Sequence, residues 1–390
     1  MINVIFLGLV SFFADLSSEM VYPLIPIYLT SVLGATPTLV GVIEGIAESL
    51  ASLLKVFSGY ISDKYNKKKP IAFLGYATGL VYKIALIFAG SWYGILFARI
   101  IDRLGKGIRT APRDVMVSES ADENATGKTF GIHKALDMAG SAIGILLAFV
   151  LFKSIGSDSY KTIFIVSIIP MVLALSMFGF IKENKEYKAV AKREPFWKNV
   201  RKLDGRLKLY LLVAFVFTLG NSSNTFLLLK ASNVGFSNTD IILLYFIYNL
   251  VASVFAIPFG KKSDSIGRKK ILVLGYIVFA FVYFNFAFAT NKVMIVLAFI
   301  IYGLYTAMVA GVEKAFISEI APKDLKGTML GLHSTLVGIA LFPASVIAGL
   351  LWDYVGGFAP FVFGATLSLI SALILQIGLK NSNALPENNK

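Results

Sequence analysis

The chain has 390 residues, 56% of them hydrophobic and 15% charged, with a mean hydropathy of +0.74. A soluble domain has too little interior to hide that much apolar sequence, so lipid must act as its solvent. The net charge of +14 does not argue for nucleic acid, because the basic residues sit mostly in short loops between apolar stretches. Cysteine is absent, which excludes disulfides and thiolate chemistry, and the two histidines, His133 and His333, are too few for an imidazole metal site. No metal and no cofactor is expected.

Apolar segments of about 20 residues, the length a spanning helix needs, fall at 4–31, 38–61, 71–89, 91–112, 128–152 and 161–181. After a polar stretch they resume at 207–232, 239–261, 271–288, 293–316, 328–352 and 358–378. An isolated strand cannot satisfy its backbone in lipid, so the pattern predicts an all-α membrane protein of twelve transmembrane helices. Residues 1–181 read as an N-terminal six-helix bundle, 182–206 as a linker, 207–380 as a C-terminal six-helix bundle and 381–390 as a disordered polar tail. The first apolar run passes residue 30 without a small-residue cleavage site, so no cleavable signal is expected. Segment 182–208 holds ten Lys and Arg against four acids, and the loops at 62–70 and 261–270 are also basic. The connections at 32–37, 89–92 and 231–238 carry no charge, so both termini and the central linker are expected on the cytoplasmic side.

Ionisable residues inside a span are costly, which makes each a functional candidate. Predicted helix 1 carries Asp15 and Glu19, and helix 2 carries Glu44 and Glu48, each pair at i, i+4 and so on one helix face. Helix 4 carries Arg99, Asp102, Arg103 and Lys106, with Arg109, Arg113 and Asp114 at its exit; helix 5 carries His133, Lys134 and Asp137. Asp102 is expected to pair with Arg99, Arg103 or Lys106. A neutral polar cluster, Asn221-Ser222-Ser223-Asn224, lies midway along helix 7. It has two readings, orientation of a substrate or hydrogen bonding between helices.

The chain repeats. Gly59, Asp63, Lys67 and Lys69 have the spacing G-x-x-x-D-x-x-x-[KR]-x-[KR], and the pattern returns 201 positions later as Gly260, Asp264, Arg268 and Lys270. Phe130-Gly131-Ile132-His133 aligns with Leu330-Gly331-Leu332-His333 at an offset of 200. Two related bundles about a pseudo-two-fold axis along the membrane normal, with a midplane site between them, are the expected architecture. The repeat also separates scaffold from chemistry. Asp15, Glu44 and Glu48 correspond to Val216, Tyr245 and Asn249, and Arg99, Asp102 and Arg103 correspond to Phe299, Tyr302 and Gly303. The fold therefore does not require these charges, and ion coupling is assigned to the N-terminal bundle. Glu19 and Asp137 are the first candidates to carry a proton, followed by Asp15, Glu48 and Glu44. Arg99, Asp102, Arg103, Asn221 and Asn224 are the candidate substrate contacts. Structural ion pairing between helices is the competing reading for the helix 4 charges and for the acids of helices 1 and 2. Arg113 and Asp114 match Glu313 and Lys314 with signs exchanged, which suggests pairing across the bundles when that side is shut.

The doubled loop motif, the twelve spans and the basic linker resemble the major facilitator superfamily (MFS) over essentially the whole chain. The resemblance implies alternating access, with Asp63 meeting the start of the eleventh helix and Asp264 the start of the fifth, so that the two loops latch the cytoplasmic side. Asp15 or Glu19 followed by Pro23 and Pro26 looks like the drug–proton antiporter branch, and Arg99 falls where that branch places its helix 4 arginine. The match departs at Arg103, where a glycine is the pattern, and at Ser141, where a proline is. The expectation is a monomeric, multi-pass inner-membrane protein of a bacterium or archaeon, a proton-coupled exporter of small amphipathic or cationic organic molecules. Its partners would be that substrate, protons and the bilayer. Proton symport of an organic anion is the alternative, and a non-transporting sensor or scaffold the alternative of another class. Neither a phosphate-binding G-x-x-x-x-G-K-[ST] loop nor a nucleophile–base set is visible, so an enzyme is not expected.

Overall fold

A computed structural model describes residues 2–65, 68–120, 126–156, 159–182, 205–321 and 326–379. Every element among them is helical. Taking each interrupted segment as one unit, the N-terminal half comprises α1 (Ile2–Val32), α2 (Pro37–Tyr65), α3 (Lys68–Phe88), α4 (Trp92–Glu119), α5 (Thr126–Ile155) and α6 (Tyr160–Phe180). The C-terminal half comprises α7 (Gly205–Asn233), α8 (Asn238–Ile266), α9 (Arg268–Phe288), α10 (Lys292–Ile320), α11 (Lys326–Tyr354) and α12 (Ala359–Gly378). Lys67, most of the predicted linker and the tail from residue 380 lie outside the described residues.

Eleven of these helices are long and apolar enough to cross a membrane; α4 is not. Its length is sufficient at 28 residues, but its charges place it below the hydropathy of a lipid-facing span. Arg99, Asp102, Arg103 and Arg109 are all buried in the bundle, where neighbouring helices replace water as their solvent. The helix also continues past Pro112, seven residues beyond the predicted end at residue 112.

Both first helices of the halves break at matching depth. In α1 the regular helix stops at Val21, before Pro23, which has no N–H to offer the ladder. In α7 it stops at Gly220, and Asn221 to Asn224 form an unwound turn before Thr225 restarts it. Asn and Ser side chains compete for backbone groups and so favour such a break. Interrupted helices at corresponding positions of two halves are where transporter-like folds place their binding site, because irregular backbone is tolerated only against a cavity.

The repeat offset changes inside the doubled loop. Helices α2 and α8 are both 29 residues long and start 201 positions apart, whereas α3 and α9 start 200 apart. One residue, Gly267 at φ +99°, joins α8 to α9, and only glycine adopts that angle without strain. The sequence register therefore mispairs the basic residues: structurally, Lys68 is the equivalent of Arg268. Lys68 pairs with Glu119 as Arg268 pairs with Glu319 at 3.0 Å. Likewise the Lys69 ammonium donates to the Ile181 carbonyl at 2.6 Å and that of Lys269 to the Gln376 carbonyl at 2.9 Å. Each bundle thus has its third helix tied to the end of its fourth and capping the last carbonyls of its sixth.

The halves are packed together on the face away from the chain termini. Thr38 N–H donates to Asp353 Oδ2 at 2.9 Å, joining α2 to α11, and Asn238 Nδ2 donates to Tyr160 Oη at 3.1 Å, joining α8 to α6. Along α2 and α11 the backbones approach closely: a Cβ on Gly349 would lie 2.6 Å from Thr38 Cα, and one on Gly45 3.0 Å from the Phe342 carbonyl. Gly349→Leu is expected to destabilise this contact by about 1–3 kcal/mol through overpacking, measured as a lower Tm of the purified protein. A wild-type Tm would refute the close approach.

Candidate functional site

A cavity of about 200 Å³ lies between the two halves, mostly against the N-terminal bundle. The interrupted α1 supplies Asp15, Ser18, Glu19 and Tyr22, which recur on one face by helical periodicity. Helix α2 adds Glu48 and α3 adds Tyr82; α4 lines one wall with Arg99, Asp102, Arg103, Lys106 and Arg109. Tyr245 of α8 is the contribution of the C-terminal half.

The charges inside are sorted by geometry. Arg99 Nη2 lies 2.6 Å from Glu44 Oε2, both side chains only 2% exposed. Arg103 Nη2 lies 2.5 Å from Glu48 Oε1. Asp102 pairs with both arginines at 3.7 Å, as expected within α4, and the arginines also reach across to α2 at shorter range. Glu44 and Glu48 are thus each engaged by an arginine of α4. The competing reading of the sequence, structural ion pairing, describes these four residues. Arg99 and Arg103 also line the cavity, and the Nε of each is buried without a hydrogen-bond partner among the described residues.

Other charged groups line or adjoin the cavity. Glu19 accepts from the Tyr245 hydroxyl at 3.3 Å, a bond across the two halves, and makes no ion pair within 4.0 Å among the described residues. Asp15 lies near Asp137, whose carboxylate has Lys134 Nζ at 2.6 Å. Lys106 is exposed and forms no ion pair among the described residues. Tyrosine rings close the cavity: Tyr22 and Tyr245 have centroids 5.5 Å apart, and Tyr245, Tyr248, Tyr302 and Tyr305 continue the chain of rings into the C-terminal half.

Asn221 and Asn224 belong to that tyrosine network. The Tyr302 hydroxyl donates to Asn224 Oδ1 at 2.7 Å, Asn224 Nδ2 donates to Tyr248 Oη at 3.4 Å, and Asn221 Nδ2 donates to Tyr305 Oη at 3.3 Å. Of the two readings left open for this cluster, hydrogen bonding between helices is the one observed.

The expected gate pairing across the bundles is not formed in this conformation. Arg113 pairs with its neighbour Asp114 at 2.8 Å, and Glu313 accepts from the Tyr276 hydroxyl of its own bundle at 3.1 Å; Lys314 is exposed. The halves are packed at the other face, so equivalent ends on this face are not brought together. In the second loop Asp264 pairs with Arg268 at 2.9 Å, and a Cβ added to Gly260 would meet open space, so no close approach demands glycine there. In the first loop Gly59 and Asp63 fall in the last turns of α2.

The sequence reading missed Lys83, Tyr22, Tyr82 and Tyr245. Lys83 was findable, as a single charge within the apolar stretch 71–88. The tyrosines carry no such signal, because most aromatic residues in a span face lipid or core. Among the described residues no group of three or more His, Asp or Glu is placed to hold a metal ion.

The family profile described as Major Facilitator Superfamily matches residues 7–229 and 209–390. An uncharacterized MFS-type transporter of Methanocaldococcus jannaschii is 38% identical over 379 residues, covering 96% of this chain and 94% of that protein. Among solved structures, a mutant of the nucleoside transporter NupG superposes with a TM-score of 0.83 at 12% identity, covering 97% of this chain and 100% of that one. A D-xylose-proton symporter superposes at 0.75 with 17% identity, covering 97% of each chain.

Proposed function

The chain belongs to the Major Facilitator Superfamily of transporters, and on that premise we propose that it is a proton-coupled secondary transporter exporting small amphipathic or cationic organic molecules by alternating access. The observation that carries this reading is the sorting of charge in the cavity. With Arg99 and Arg103 bound to Glu44 and Glu48, the carboxyl groups of Glu19 and Asp15 face the cavity beside the rings of Tyr22, Tyr82 and Tyr245. Carboxylates flanked by aromatic faces suit an organic cation. The same carboxylates bind protons, so proton and cation compete for one place and exchange follows from that competition.

The basic loops put the terminal face in the cytoplasm, so the contacts of Thr38 with Asp353 and of Asn238 with Tyr160 close the outer side. Outward opening breaks them and brings together the ends bearing Arg113, Asp114, Glu313 and Lys314, the conformation in which their opposed charges meet. A monomer suffices for this cycle.

Lys106 favours a second reading. A free ammonium group in the cavity is a site for an organic anion, taken up together with a proton. Purified protein in liposomes with an internal pH dye separates the two. Lipophilic cations such as tetraphenylphosphonium are expected to drive proton movement that survives Lys106→Ala. Movement driven only by organic anions and lost in Lys106→Ala would replace export of cations by anion symport, and a silent pH dye with every compound would end the proton-coupling reading.

A further inference from the structure

Lys83 is buried in the middle of α3 with no exposed surface, and the cavity chemistry described above makes no use of it. A buried ammonium group is normally matched by an anion. Lys83 has no ion pair within 4.0 Å among the described residues; its Nζ donates to the Ser17 main-chain carbonyl of α1 at 3.0 Å and lies 4.6 Å from the centroid of the Tyr82 ring. Ser17 in turn donates its hydroxyl to the Ser167 carbonyl at 2.6 Å, at the point where α6 is interrupted. Lys83 therefore sits at a junction of three helices, two residues along α1 from Glu19.

The charged groups that Lys83 faces are Glu19 on α1 and Asp102, Arg99 and Arg109 on α4. On α6, also packed against α3, the span 160–180 holds a single charge, Lys161, at its far end. Arg99 is bound to Glu44, and Asp102 already has two arginines beside it. Glu19 is the acid left without an ion pair. Around it stand Lys106 and Arg103 of α4, Lys83 of α3 and the Tyr245 hydroxyl of α8.

The duplicated half isolates what the charge adds. Tyr283 occupies the position of Lys83 at an offset of 200 and is equally buried. The other half thus fills the equivalent buried place with a neutral side chain, so the scaffold does not require a charge there. The positive charge is particular to the half that holds Glu19.

We propose that Lys83 is a resident cation of the coupling site: a positioning residue whose ammonium group turns from the Ser17 carbonyl to the Glu19 carboxylate when Glu19 has lost its proton or cationic substrate. This rests on the proton-coupling reading. It lets the emptied site carry an internal partner for Glu19, and it favours release of the proton because a nearby cation stabilises the carboxylate form.

The test reads Glu19 directly, without a substrate, by infrared difference spectroscopy of the purified protein through a pH titration. A protonated-carboxyl band absent in Glu19→Gln identifies the group. In Lys83→Gln, and in Lys83→Tyr, which reproduces the other half, the midpoint of that band is expected to move up by about one pH unit or more, while Lys83→Arg stays near wild type. The proposal is overturned if both neutral variants titrate at the wild-type midpoint, or if no Glu19-dependent band exists. Failure of the liposome assay with this shift intact would sink cation export and leave the role of Lys83 standing.

Discussion

Glu19→Gln is expected to abolish cation-driven proton movement and to weaken binding of a lipophilic cation by about ten- to hundredfold. The magnitude follows from losing one charge-assisted contact of about 1.5–3 kcal/mol. The variant keeps an acceptor for the Tyr245 hydroxyl, so the bond across the halves is preserved and the fold should be unaffected. Binding measured by equilibrium dialysis with labelled tetraphenylphosphonium, in parallel with the pH dye, distinguishes the outcomes. Undiminished proton movement together with undiminished binding would remove Glu19 from the site and leave Asp15 and Asp137 as the coupling pair. Weakened binding with proton movement intact would make Glu19 a substrate contact alone.

A second large effect concerns stability. Arg99→Ala leaves the Glu44 carboxylate buried without the guanidinium 2.6 Å away, and such a loss costs about 3–5 kcal/mol. The double variant Arg99→Met with Glu44→Gln removes both charges and is expected to recover most of that loss, because a buried pair is roughly neutral against well-packed uncharged residues of similar volume. Chemical denaturation in detergent of the two single variants and the double variant forms a double-mutant cycle. A cost below about 1 kcal/mol for Arg99→Ala, against the range expected for a broken buried pair, would show that Glu44 tolerates isolation.

Much of the site was legible in the sequence, but the partners across helices were not. Glu19, Asp15 and Asp137 were singled out because a carboxylate in a span is costly wherever it points, and that argument needs no coordinates. Glu44 and Glu48 met the same criterion, but their ion pairs with Arg99 and Arg103 could not be read, since which arginine reaches which acid depends on the rotation of α2 against α4. The spacing of Arg99, Asp102 and Arg103 along one helix suggested local pairing, which is present at 3.7 Å, while the nearer partners lie 55 positions away in the chain for both arginines. The polar run at Asn221 to Asn224 was visible, but its tyrosine partners on α8 and α10 were not. The gate residues were legible as a repeated motif, yet their contacts belong to a conformation closed on the other face.

By itself, the sequence determined that this protein lives in lipid, that it is helical, and that it is built from two related halves. Each of these follows from local facts: apolar length, the need to satisfy the backbone within the segment, and a repeat offset of 200 to 201. Only the tertiary structure decided which charges are consumed in holding helices together and which face a cavity, and it alone brought Lys83 and Tyr245 to Glu19. The reason is geometric. A helix places a residue on a face to within tens of degrees, whereas an ion pair or hydrogen bond is decided over a few tenths of an ångström, and that precision comes from how neighbouring helices pack.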